Sequence, residues 1–129
     1  MRHINVGWTL PALVAGAKTV TRQTWKRAPG WMRAGQAVTV SGPGRTPVAM
    51  IRLTADPCLE PLGAMPDSDY EAEGWRWLSD HPEALGRSVR RADVSGAACE
   101  RWRARPYATW ALRFGVCAVV GTGAAHRAG

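Results

Sequence analysis

Segments in which apolar and polar side chains alternate are separated along this chain by segments with helical spacing, so strands and helices are both predicted. His3 to Trp8 alternates weakly and reads as a first strand or an extended lead-in. Thr9 or Leu10 followed by Pro11 marks a helix start, since proline at the first helical position gives up an N–H that has no partner there, and Gly16 is a stop. The β-branched residues that follow place a short strand over Lys18 to Arg22. Gln36 to Ser41 and Val48 to Ala55 are the clearest strands, and the glycines and prolines between them suit a hairpin loop, so they are expected to pair antiparallel. Pro66-Asp67-Ser68-Asp69 opens a helix expected to reach about Leu78, with carboxylates at the end its dipole favours. Asp93 or Ser95 caps a last helix through Arg103, and Tyr107 to Val120 forms a closing strand. This organisation predicts one domain over residues 1–120 and a flexible tail over 121–129.

At 129 residues and 46% hydrophobic, the chain suits one core and argues against wholesale disorder. The formal net charge of +7 makes a polyanion the expected partner, with nucleic acid ahead of an acidic protein or a membrane surface. Met1 to Ala55 holds eight basic residues and no acidic one, whereas eight of the ten carboxylates fall between Asp56 and Glu83. The fold is therefore expected to bring an acidic segment against a basic one. Cys58, Cys99 and Cys117 lack the spacing of a zinc site or redox pair and read as buried small hydrophobes; His3, His81 and His126 are equally scattered, so no metal and no cofactor is expected. With neither an apolar run of membrane-spanning length nor a secretory signal, no membrane association is expected and the cytoplasm is the default compartment.

The candidate chemistry centres on Gly16 to Arg22, which packs a turn, an amine, two hydroxyls and a guanidinium into seven residues at an element boundary. The same pattern also suits an ordinary helix exit and strand start. On the acidic helix, Tyr70, Gly74 and Trp77 share a face, and Glu73 at its edge would be carried toward the core or a cleft. There it serves either as a structural ion-pair partner for an arginine of the acid-free half or as a proton donor. Lys18, Thr21 and Glu73 together would supply a proton acceptor, a hydroxyl nucleophile and a proton donor, a minimal set for acyl transfer. Among the seven tryptophans, Trp8, Trp77 and Trp110 read as core. Trp25 and Trp31, beside Lys26, Arg27 and Arg33 in a loop, together with Arg22, are candidates to stack on and hold nucleic acid. The arginines from Arg87 to Arg105 are a solvated face or a phosphate track.

Gly16-Ala17-Lys18-Thr19-Val20-Thr21-Arg22 resembles the signature of the ASCH family, within the PUA-like superfamily of small β-barrels linked to RNA. Arg33 to Val40, Val48 to Thr54, Tyr70 to Gly74 and Thr109 to Phe114 resemble further segments of that family in the same order, so the likeness spans about residues 4 to 115. It implies an α+β fold, a mixed or antiparallel PUA-like barrel with flanking helices. It also implies an RNA or modified-nucleoside partner. In one branch of the family a lysine, a threonine and a glutamate remove the acetyl group from N4-acetylcytidine, and by motif those roles fall on Lys18, Thr21 and Glu73. Other members are ribonucleases or non-catalytic RNA readers. Gln36, where relatives carry aspartate, and the tryptophan-rich segments depart from the enzyme branch.

Overall fold

Ala108–Val119 forms the longest strand, β6, and every arm of the sheet meets on it in this computed structural model, which describes residues 3–120. The other strands are β1 (His3–Ile4), β2 (Val20–Gln23), β3 (Ala37–Ser41), β4 (Pro47–Leu53) and β5 (Cys58–Pro61). They run in the order β1-β3-β4-β6-β2, with β5 also on β6; β1 and β3 are parallel and the remaining pairs antiparallel. The first half of β6 lies between β2 and β5, both of which pair with Trp110 and Ala111, and its second half is paired by β4.

The fold is α+β, but the closed PUA-like barrel implied by the ASCH resemblance is not formed. β1 and β2 stand at opposite ends of the strand order, and no backbone ladder joins them among the described residues. Only His3–Ile4 pair in β1, where a first strand or an extended lead-in is expected over His3 to Trp8. Gly7, at φ 63°, instead turns the chain into a 3-10 turn at Gly7–Thr9 after two paired residues. The two ends touch through a side chain, where Gln23 Nε2 donates to the Asn5 carbonyl at 3.1 Å.

The hairpin of β3 and β4 forms as expected; β4 alternates buried and exposed positions, while Val38 to Ser41 of β3 are buried in succession. Val38 and Val40, with Ala49, Ile51 and Leu53 opposite and Leu112 and Phe114 of β6 beyond, make the main core with Leu13 and Met32. Trp25 and Trp31 pack against this core, both half-buried. α1 (Leu10–Val14) ends at Gly16, φ 80°, as the pattern predicts, and Ser95 caps α4 (Gly96–Arg103) by accepting from the Ala98 amide at 3.1 Å.

The expected continuous helix to Leu78 is broken. It divides into α2 (Asp69–Ala72) and α3 (Trp75–Asp80) at Gly74, whose φ of 92° no helix interior allows. The break lets the segment pack tightly, because a Cβ on Gly74 would lie 2.6 Å from Ala12 Cβ and 3.3 Å from Lys18 Cβ. It also removes Tyr70, Gly74 and Trp77 from a common helical face. Other expectations fail for local reasons. Cys99 is buried on α4, but Cys58 and Cys117 are exposed on β5 and β6. Trp8, expected in the core, is 38% exposed because the Gly7 turn swings it outward, and Trp77 and Trp110 are only partly buried. The predicted tail at 121–129 and His126 lie outside the described residues. No helix among the described residues is long and apolar enough to cross a membrane.

Candidate functional site

Backbone hydrogen bonds fix the Gly16 to Arg22 segment against two helix ends before any side chain is considered. The Ala17 and Lys18 amides both donate to the Ala12 carbonyl, at 2.9 and 3.2 Å, and the Thr19 amide donates to the Ala72 carbonyl at 2.7 Å. Lys18 is thereby laid beside Glu73, the residue that ends α2. Its Nζ donates to Glu73 Oε1 at 2.9 Å and to the Glu73 carbonyl at 3.0 Å, and both residues are buried.

The pair belongs to a larger network. Arg22 Nη1 donates to Glu73 Oε2 at 2.8 Å, while its Nη2 donates to Asp69 Oδ2 at 2.6 Å and to Glu60 Oε1. Arg113 grips Asp69 with two bonds, at 3.0 and 2.9 Å. Register explains the convergence: Arg22 pairs with Ala111, and Glu60 with Thr109, so both side chains project from the face of the sheet that carries Arg113. Three cations thus meet three carboxylates. Burying such ions costs several kcal/mol each, on the order of what their mutual bonds must return.

These surroundings shift the groups in predictable directions. Burial pushes the Lys18 ammonium below its ordinary value of 10.5, against the opposing pull of the Glu73 carboxylate. Burial alone would lower Arg22, but its bonds to Glu60, Asp69 and Glu73 outweigh that and hold it firmly charged. Burial would raise Asp69, yet Arg113 and Arg22 hold its carboxyl below the usual 3.8.

Lys18, Arg22 and Glu73 form the floor of a cleft of about 500 Å³, and Thr21 lines it as well. Thr21 pairs with Leu112 and so leaves β2 on the face opposite Arg22, yet both residues line the cleft. The Thr21 hydroxyl accepts from Gln23 Nε2 at 3.5 Å, the outer limit for a hydrogen bond. Aromatic rings make the walls. Trp75 stacks on Trp102 with centroids 5.4 Å apart and planes 11° from parallel, Trp8 leans on Trp75 at 5.6 Å, and Tyr107 stands nearby. Arg101 and Arg105 line the mouth.

The structure therefore brings together Lys18, Thr21, Arg22 and Glu73 and leaves the other candidates elsewhere. Trp25, Lys26, Arg27, Trp31 and Arg33 do not line this cleft. Lys26 and Arg27 are exposed, and Arg33 turns back on its own loop, donating to the Gly30 and Met32 carbonyls at 2.9 Å each. Gln36 accepts from the Arg33 amide at 3.0 Å and closes that loop instead of facing a barrel mouth. The walls and rim carried no motif: Trp8, Trp75, Trp102 and Tyr107 come from four separate segments and share no spacing. Among the described residues no group of His, Cys, Asp or Glu could hold a metal ion.

No family model matches the chain, and none of the curated proteins does. Among solved structures it is similar to the crystal structure of protein EF3133 from Enterococcus faecalis V583, described under the family model DUF984. Identity is 17%, the TM-score is 0.50, and the match covers 84% of this chain and 69% of that one. The likeness is one of fold. The ASCH and PUA-like assignment drawn from the motifs between about residues 4 and 115 is not supported: the sheet of this chain is not closed into a barrel, and the structural likeness found is to the DUF984 protein. Short motifs in the family's order were matched without the strand closure that a barrel requires.

Proposed function

We propose that the cleft binds a nucleoside, free or within RNA, and hydrolyses an acyl amide on its exocyclic amine, as in N4-acetylcytidine. Thr21 acts as nucleophile, Lys18 as proton acceptor and Glu73 as proton donor. The observation that carries this reading is the buried 2.9 Å contact between Lys18 Nζ and Glu73 Oε1 on the floor of an aromatic-walled cleft that Thr21 also lines. Indole walls suit a planar heterocycle, which stacks without regard to its hydrogen-bonding edge.

The Lys18–Glu73 contact has a direct chemical use. Moving one proton from Nζ to Oε1 turns the ion pair into a neutral amine and a neutral acid; burial of Lys18, helped by the nearby Arg22 charge, favours loss of its proton, against the pull of the Glu73 carboxylate. Thr21 Oγ1 then attacks the acyl carbon and gives its proton to Lys18. As the tetrahedral intermediate collapses, the C–N bond breaks and Glu73 protonates the departing amine. This leaves an acyl ester on Thr21 with Lys18 and Glu73 again charged. After the same proton transfer, water attacks the ester, loses its proton to Lys18, and releases the carboxylic acid while Thr21 regains its hydroxyl proton from Glu73.

A second reading, a non-catalytic reader of nucleosides or RNA, is favoured by the pairing itself: Lys18 and Arg22 already occupy both oxygens of Glu73. The test is turnover. Incubation with a panel of acylated nucleosides should yield free amine and carboxylate for at least one member. Binding with no turnover across the panel would leave the reader standing.

A further inference from the structure

The nucleoside reading leaves the charge at the mouth of the cleft unexplained. At and behind the floor, Lys18, Arg22 and Arg113 are matched one for one by Glu60, Asp69 and Glu73, so the interior presents no net charge to a ligand. The mouth is different. On α4 and the turn after it, Ala98, Arg101, Trp102 and Arg105 recur at helical spacing and line the cleft together. Arg103, between them, points elsewhere and is tied to Asp67 and Glu100 at 2.8 Å each. Arg101 and Arg105 are exposed and make no ion pair among the described residues.

We infer that Arg101 and Arg105 seat a phosphate, and that the ligand of this cleft is a phosphorylated ribonucleoside rather than an uncharged one. The inference rests on the nucleoside reading above and narrows it. A neutral floor accepts a heterocycle without charge preference, whereas Arg101 and Arg105, which carry no ion pair among the described residues, line the same cleft as Trp102 and offer guanidinium donors to an anion there. Phosphate is the anion this pair suits best, because two forked guanidiniums can share its oxygens. A free nucleotide and a nucleotide within RNA supply the same chemistry.

The experiment is a set of titrations at low salt with cytidine, cytidine 5′-monophosphate and tetracytidylate, on the wild type and on the Arg101→Gln/Arg105→Gln variant. Melting curves confirm that this exposed double variant folds. The monophosphate should bind the wild type about tenfold or more tightly than cytidine. That advantage should vanish in the variant while cytidine affinity stays unchanged. A further gain for tetracytidylate marks an RNA strand as the source of the phosphate, and equal affinity marks the free nucleotide; either supports the seat. Equal wild-type affinity for cytidine and its monophosphate, or an advantage that survives in the variant, would overturn it. Failure of all three ligands to bind would remove the nucleoside reading as well, so the two failures are distinct.

Discussion

Lys18 and Glu73 lie 55 residues apart in sequence and 2.9 Å apart in space, one at the exit of α1 and the other at the end of α2, both buried. Removing one partner leaves the other's charge largely buried and without this counter-ion. Glu73→Ala should therefore cost about 3 kcal/mol or more of folding stability in a denaturant titration. Lys18→Met combined with Glu73→Leu should recover most of that loss, because Arg22 keeps Asp69 and Glu60 and no unpaired lysine remains. Additive losses in the double variant would show that the pair is not the coupled unit described here.

Gly74 controls whether that contact can form. Its φ of 92° disfavours any side chain, and a Cβ would press on both Ala12 and Lys18. Gly74→Ala should destabilise by about 1–3 kcal/mol. An unchanged melting temperature would mean that the backbone relaxes at no cost.

What the sequence revealed was mostly local. The β3–β4 hairpin, the Ser95 cap and the Gly16 stop are written in residues that act within a few positions of themselves. Lys18, Thr21 and Glu73 line one cleft; the acid-free first half implied that Glu73 would meet a cation, but the helix end that places Glu73 beside Lys18 was not legible. The break at Gly74 was hidden because one positive φ inside a helical pattern depends on the close approach of Ala12, a contact made across the fold. The open sheet was hidden for a similar reason, since the Gly7 turn that shortens β1 looks like any other glycine in a strand. The aromatic walls came together from segments with no common spacing, so no pattern announced them.

Asp69 gives the fold an acid limit. Its carboxyl is held below the usual 3.8 by Arg113 and Arg22, against the opposing effect of burial. A depressed folded-state value means that its contribution is full above 3.8 and is lost as pH falls toward and through that lower value. The stability gap between the wild type and Asp69→Asn should therefore be largest near neutral pH and shrink in acid. A gap that stays constant down to about pH 2.5 would contradict the depressed value.

Trp102 forms a cleft wall by stacking on Trp75. Trp102→Ala should weaken nucleoside binding by about 1–3 kcal/mol, the range for one lost base stack. The far-ultraviolet spectrum should not change. Undiminished affinity in calorimetry would place the ligand elsewhere.

The central claim is that Thr21, Lys18 and Glu73 act together on an acyl amide. It is tested most directly by acetate release from N4-acetylcytidine, measured for the wild type beside Thr21→Ala. The account predicts one acetate per cytidine from the wild type, and none from Thr21→Ala at nearly unchanged nucleoside affinity, since the hydroxyl acts mainly in the transition state. Folded wild-type protein that binds the nucleoside and releases no acetate, or a Thr21→Ala variant that still turns over, would contradict it.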